Sequence, residues 1–445
     1  MTVYRLFSWE HSYFSGKVRA YLRFKQRQRA IGAGFEDILA TPELIAGLLI
    51  PRSGSGAVPQ LEAPDGTWVQ DSSAIVDYCE AAHPEAPVVP DAARAPRQCL
   101  AAYLIELLAD EWIVVPAFWE RWYFSEGGRS PCHRGFTEQQ WGAFLAAGAP
   151  GDARRAAGAA FFENAFGISD TRVNPKGVYA GLVQLGCDAR TERAWQASQH
   201  RLLGLLETHW SRHDYVFGGR PSLADFALLG PLYAHLYRDA VSSFALRTHF
   251  PIVCEWVERT NGEGALNARM YGQALYSLDA RGALVGRPAT SDGGAWLADD
   301  AIPETLVPVL RVFFEEMWPV LTSTARVVTA FVASGAHALG SELPGKTFFA
   351  SPGFEALQTG DGALTHEFAI GGVRGRRMVV PIQLWMLQRV ERVLASCTAS
   401  AAGRTAVEAF LAGFEHGPEL LALGALLERC RVRKEGARLF SERGL

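Results

Sequence analysis

No CxxC pair occurs anywhere in the 445 residues. The seven cysteines, Cys79, Cys99, Cys132, Cys187, Cys254, Cys397 and Cys430, are odd in number and scattered. That spacing excludes a disulfide framework and a cysteine-based zinc site, and no metal is expected. Reduced, mostly buried thiols in a cytoplasmic protein are the reading it favours. An excess of charge of one sign is also lacking. Lys and Arg total 43 against 47 Asp and Glu, a net charge of −4, so a nucleic-acid partner is not expected. No charge-free apolar run approaches the roughly 18 residues of a membrane span, and no membrane partner is expected. The opening MTVYRLFSWEHSYF has no basic stretch leading into an apolar one, which argues against a signal peptide. Charged residues are 20% and hydrophobic ones 49% of the chain, enough to bury a large core and to exclude dominant disorder.

At roughly 150 residues per domain, the length fits two or three domains. The first 86 residues alternate in type. Val3 to Phe7 reads as a strand, and Gly16 to Lys25 carries Val18, Tyr21 and Leu22 at helical spacing. Phe35 to Leu39 reads as a second strand. Ala57 to Glu62, the turn Pro64-Asp-Gly66 and Thr67 to Gln70 read as a hairpin. Asp71-Ser72-Ser73 then caps a helix running toward His83. After the proline-rich linker Ala86 to Pro90, helix signals dominate from about residue 92. Ser222 as N-cap with Asp225 at the third helical position forms a shortened capping box. Arg281 to Ala301 reads as a surface loop anchored by Leu284, Val285, Trp296 and Leu297. Pro308 and Pro319 should kink or divide the helix from Ile302 to Ser334. His366 to Ile370 and Arg376 to Val380 suggest a turn-linked pair, and Pro381 to Ala395 an amphipathic helix. His209 and His213 stand four apart, as a metal pair would, but a solvated helix end is the expected reading.

Three spaced features narrow the class of the first domain: Ser12-Tyr-Phe-Ser15 followed by Gly16-Lys-Val-Arg19, then Val58-Pro59, then Asp71-Ser72. Together they resemble the thioredoxin-like domain of glutathione S-transferases. Phe217 to Phe226, with His249-Phe-Pro-Ile-Val253 and Trp256-Val-Glu-Arg259, resembles that family's helical domain. The implied architecture is an α/β thioredoxin-like N-terminal domain plus a large all-α C-terminal domain. Its parts are a glutathione-binding domain at 1–86, a helical domain at 92–260, and a helical extension at 261–445 packed on the latter. Compact members lack that extension, which suggests an extended bacterial branch.

The resemblance implies glutathione as co-substrate, a hydrophobic electrophile as second substrate, and a homodimer. Ser72, at a helix N-terminus where N–H groups favour an anion, would grip the γ-glutamyl carboxylate, with Asp71 near its ammonium. A cis bond before Pro59 would present the Val58 backbone to the cysteinyl unit. Arg52 is a candidate for the glycyl carboxylate. Ser12 would stabilise the thiolate, with Tyr13 and Ser15 as rival donors. Hydroxyls at 12 and 15, where a disulfide exchanger needs thiolates, decide against redox chemistry. Trp9, Phe14, Trp112 and Trp119 are candidates for an aromatic acceptor pocket. Two other readings stay open: a glutathione-dependent lyase, isomerase or dehalogenase acting on one metabolite, and a non-catalytic binding or scaffold protein of the same fold.

Overall fold

The computed structural model describes residues 3–126, 129–162, 184–262, 276–278, 281, 284–286, 294–335, 337–343 and 364–442. Alternation of apolar and polar residues near the N-terminus yields β1 (Tyr4–Ser8), with Leu6 and Phe7 fully buried. Helix α1 (Tyr13–Arg27) follows, three residues longer at its start than its apolar spacing indicated, because Ser12 caps it by accepting from the Ser15 N–H. The sheet is completed by β2 (Phe35–Leu39), β3 (Gln60–Glu62) and β4 (Trp68–Gln70), in the order β2-β1-β3-β4. β1 runs parallel to β2 and antiparallel to β3, with Leu6 opposite Leu61. Helix α2 (Ser72–Ala82) packs back on this sheet. This is the thioredoxin-like arrangement.

Helices α3 (Pro96–Glu111), α4 (Val114–Ser125), α5 (Glu192–Trp210), α6 (Leu223–Pro231) and α7 (Pro251–Asn261) build the second layer. The capping box expected at Ser222 is present. Asp225 accepts from the Ser222 N–H and hydroxyl, the Val216 N–H and the Trp256 indole. Even so, burial pushes its carboxyl up to about 6, because four donors do not replace bulk water. Trp256 in turn stacks on Trp210, ring centroids 3.9 Å apart. α6 packs along both α1 and α3, which seats the sheet domain on the helical one.

The C-terminal region is woven into that core. Ala95, before α3, offers no side-chain cap, and Asp300 supplies it from far along the chain by accepting from the Arg97 and Gln98 N–H groups. Trp112 donates its indole N–H to Glu316. The helical run from Val307 passes through a π-helical segment at Phe313–Met317 and continues as α8 (Trp318–Ala333), with Pro319 in the first turn after that segment. Helix α9 (Ile382–Cys397) packs against α3. The expected turn-linked pair is the hairpin β5 (Thr365–Ile370) and β6 (Val373–Met378). A second hairpin, β7 (Arg431–Glu435) and β8 (Arg438–Glu442), departs from the all-helical expectation for 261–445. A short antiparallel pair joins 276–278 to 284–286, and its second strand falls inside the loop expected at Arg281 to Ala301. The anchor Trp296 donates to the Arg220 carbonyl and Leu297 to that of Phe217; the side chains of Leu284 and Val285 lie outside the described residues.

None of the seven cysteines forms a disulfide, and six are buried. His209, expected at a solvated helix end, is buried instead, its ring held between Thr305 and the Tyr215 carbonyl. Among the described residues no helix is long and apolar enough to cross a membrane.

Candidate functional site

A cavity of about 130 Å³ opens where β3, the N-terminus of α2 and the end of α3 meet. Val58, Pro59, Asp71, Ser72 and Phe14 line it, bringing together five residues singled out from the sequence. The Val58–Pro59 peptide is cis. Asp71, not Ser72, is the N-cap of α2, its Oδ1 accepting from the Ser73 and Ala74 N–H groups at 2.9 and 3.3 Å. Its φ of 90° lies where a non-glycine residue is strained, a conformation that needs support from its surroundings. Ser72 becomes the first helical residue, nearly buried and facing the cavity at the positive end of the helix.

The other sequence candidates lie outside this lining. Ser12 is half-buried at the N-terminus of α1, two residues before Phe14. Tyr13 is in the core: its hydroxyl donates to the Ala109 carbonyl at 2.5 Å, and burial holds its phenol far above the ordinary range. Ser15 is buried and accepts from the Trp9 N–H. Arg52 is exposed with its guanidinium over the Trp68 ring. Of the proposed acceptor aromatics only Phe14 reaches the cavity. Trp112 and Trp119 are core residues, the first packed on Trp195 and the second stacked on Tyr123, because the helices around them are apolar on most faces. Trp9 is half-buried against Trp141 and Phe144.

The loop before Ser12 is fixed from several sides. Buried Arg121 donates to the His11 carbonyl at 2.9 Å while its Nε pairs with Asp239 at 2.7 Å. Glu10 pairs with Arg19 at 2.7 Å and accepts from Tyr233.

Sequence reading missed the rest of the wall. Asp110 and Glu111 come from the last turn of α3, Ile382 and Met386 from α9, and Lys434, Ala437 and Leu439 from the β7–β8 hairpin. Lys434 donates to the Gln70 carbonyl and Oε1 at 3.0 and 3.2 Å. Burial lowers its ammonium's affinity for the proton, and the Asp71 carboxylate opposes that. The hairpin turn sits so close that a Cβ on Gly436, at φ 54°, would meet the Ser53 carbonyl at 2.3 Å. Alternation through Arg431 to Glu435 and Arg438 to Glu442 around this glycine was the overlooked signal.

Beneath the cavity floor lies a buried charge network. Lys17 Nζ donates to Glu106 Oε1, Asp110 Oδ2 and Ser73 Oγ at 2.7, 2.6 and 3.0 Å. Arg389 donates to Glu106 Oε2 at 2.6 Å and to both Asp77 oxygens at 2.7 and 2.8 Å. Burial would raise both α3 carboxyls. Arg389 and Lys17 together outweigh it at Glu106, whose affinity for the proton falls. At Asp110 burial and the neighbouring Glu106 prevail over Lys17, so its affinity rises. Asp110 Oδ1 has no hydrogen-bond partner. Glu106 and Asp110 stand four apart, a spacing that places both on one face of an otherwise apolar helix.

Comparison with known families matches residues 6–87 to the glutathione S-transferase N-terminal domain and residues 188–259 to the glutathione S-transferase C-terminal domain. The chain thus carries both a glutathione S-transferase N-terminal and a glutathione S-transferase C-terminal domain. Solved structures similar to this chain include a glutathione S-transferase of Methylobacterium radiotolerans in complex with glutathione sulfonate. It is 19% identical, over 66% of this chain and 96% of that one, with a TM-score of 0.33. A beta-etherase from Sphingobium is 18% identical over 60% and 97%, TM-score 0.38. A glutathione transferase homolog from Sulfitobacter with bound glutathione is 15% identical over 59% and 95%, TM-score 0.31. Among curated proteins, none matches the chain.

Proposed function

We propose that this protein binds glutathione in the cavity at the N-terminus of α2 and activates its thiol for attack on an electrophilic carbon. The observation that carries the reading is the convergence of Val58, Pro59, Asp71 and Ser72 on one cavity. An anion at the start of α2 meets the helix dipole and the Ser72 hydroxyl. Lys434, with two of its contacts given to Gln70, adds a cation beside it, and Asp110 and Asp71 supply acidic groups to the lining that suit an ammonium. A tripeptide carrying both kinds of charge suits such a site. Ser12, at the N-terminus of α1, is the donor that would hold the thiolate, since Tyr13 is committed to the Ala109 carbonyl. The thiol proton leaves to solvent, the sulfur forms a bond to carbon, and the leaving group departs with its electron pair.

One feature of the wall favours a dedicated acceptor over a broad range of electrophiles, as a glutathione-dependent lyase, isomerase or dehalogenase would need. Ile382, Met386 and Leu439 from the C-terminal region line the cavity, so an acceptor must fit a small apolar opening. In this reading the region 261–445 shapes the acceptor side, and truncation at residue 262 removes turnover even where folding survives.

Calorimetry with the full chain tests the proposal. Glutathione should bind, and Ser72→Ala should weaken binding by about 1–3 kcal/mol, the cost of leaving a charged group short of a partner. Mass spectrometry should then detect thioether products with aromatic halides. No binding at millimolar glutathione overturns the proposal; binding without any thioether, elimination or isomerised product leaves the scaffold reading in its place.

A further inference from the structure

A second cavity, of about 330 Å³, lies between the end of α1 and the end of α7 and shares no lining residue with the first. Phe14, at the start of α1, lines the first cavity and Phe24 lines the second, about 15 Å along the same helix at 1.5 Å per residue. Three guanidiniums face the second cavity: Arg27 from α1, Arg220 from the loop before α6, and Arg259 from α7. No carboxylate is among the described residues that line it. The nearest acidic groups act from outside the lining: Glu80 on Arg220, and Glu255 and Asp225 on Arg259.

Two buried donors are left without partners there. Arg259, 8% exposed, gives one terminal nitrogen to the Asp214 carbonyl at 2.9 Å, but its Nε has no hydrogen-bond partner. The neighbouring Thr260, 3% exposed, has an unpartnered Oγ1. Buried polar groups are nearly always satisfied, and these two lie in residues that line one cavity, beside its three guanidiniums. Water would supply acceptors but would leave the three lining charges with only the carboxylates outside the lining to oppose them. An oxyanion supplies both, since carboxylates and phosphates match the planar fork of arginine. Arg220 is already held in place, donating to the Pro87 carbonyl at 2.8 Å and lying 5.0 Å over the Trp296 ring. Its position therefore does not depend on a ligand. The remaining wall is apolar, with Phe24, Phe226 and Pro221. The volume is that of a small metabolite and exceeds what a bare ion requires.

We propose that this cavity is a binding site for a small organic oxyanion, a phosphate ester or a polycarboxylate, held by Arg27, Arg220, Arg259 and Thr260 and separate from the glutathione cavity. The proposal does not depend on the transferase reading, because no residue is common to both sites.

Isothermal titration of the full chain with pyrophosphate and with citrate, at constant ionic strength, tests it. Saturable binding of one of them at millimolar concentration or below is expected, and the one bound more tightly identifies the head group. Arg27 is exposed and Arg220 half-buried, so the double variant Arg27→Gln/Arg220→Gln should fold. It should weaken binding tenfold or more, and Thr260→Val should weaken it severalfold. Absence of saturable binding of either probe at 5 mM, a deliberately generous ceiling on the order of crowded metabolite pools, overturns the proposal. So does binding that survives the double substitution undiminished.

Discussion

Lys17 and Arg259 are both buried cations, near opposite ends of the structure that α1 spans, and their surroundings differ in kind. Around Lys17 each positive charge meets carboxylates: Glu106 and Asp110 for Lys17, Glu106 and Asp77 for Arg389. The network draws Lys17 from α1 and Asp77 from α2 of the sheet domain, two members from α3 and one from α9 of the C-terminal region. Around Arg259 the direct partners are backbone carbonyls and the Tyr215 side chain, and no carboxylate is among the described residues that line the space it faces. A compensated network fixes the relative placement of three segments. A cluster whose carboxylates stand outside the cavity lining leaves room for a molecule that brings its own negative charge. Burial alone therefore does not distinguish structural from binding charges, whereas the presence or absence of a lining carboxylate does.

The largest expected effect follows directly. Lys17→Met leaves Glu106 and Asp110 facing each other in the interior with one cation fewer, and should cost about 3–5 kcal/mol in urea unfolding. Arg389→Met, which strands Asp77 and Glu106, should cost a similar amount. Arg259→Met removes a desolvated charge with no lining counter-ion and loses hydrogen bonds to carbonyls, so its effect in anion-free buffer should stay within about 1 kcal/mol. Equal losses for Lys17→Met and Arg259→Met would erase the distinction.

How much of this was legible in the sequence follows the same divide between local and long-range causes. The sheet domain and the capping box at Ser222 were readable because each depends on a local turn or helix start, whereas Val58, Pro59, Asp71 and Ser72 were reached through the family resemblance that their order and spacing carry. The Lys17 network was not, because Asp77, Glu106 and Arg389 lie far apart in the sequence and no local pattern links them. Only the packing of α9 on α3 brings them within hydrogen-bonding distance. Lys434 was invisible for the same reason, reaching Gln70 across most of the chain. The aromatics misled in the opposite direction: Trp112 and Trp119 carry the residue type of an acceptor pocket, but helices apolar on nearly every face put them in the core.

A smaller effect sharpens the arginine end of the comparison. His209, whose ring meets the carbonyl of the cavity residue Tyr215, is buried and neutral. Nε2–H donates to that carbonyl, so Nδ1 accepts from Thr305, and protonation would turn that acceptor into a second donor. Burial, with His213 adding to it, lowers the imidazole to about 3 from an ordinary 6.5. A group depressed on folding contributes stability that is complete above the unfolded value and is lost as pH falls toward the folded one. Between pH 7 and pH 5 the loss from this residue should be about 2 kcal/mol. His209→Gln should remove that portion of the pH dependence of unfolding while leaving the Lys17 network's contribution in place. A pH profile unchanged by the substitution would mean that the ring is solvated.

The smallest effect lies at the start of α1, where no charged side chain is needed. Ser12 accepts from the Ser15 N–H at 3.4 Å, a long bond that leaves its own hydroxyl proton to donate. Tyr13 has no such freedom, since its proton lies on the Ala109 carbonyl. A thiolate bound beside the helix N-terminus gains from the dipole in every variant and from the hydroxyl only where Ser12 is intact. Ser12→Ala should therefore raise the pKa of bound glutathione's thiol by about one unit, equivalent to roughly 1.4 kcal/mol, when thiolate absorbance is followed against pH. Tyr13→Phe should leave that titration in place and instead lower stability, because it removes a buried hydrogen bond and strands the Ala109 carbonyl. The opposite pairing, a shifted titration in Tyr13→Phe and an unmoved one in Ser12→Ala, would transfer the thiolate to the phenol and require the α3 end of the cavity to open toward it.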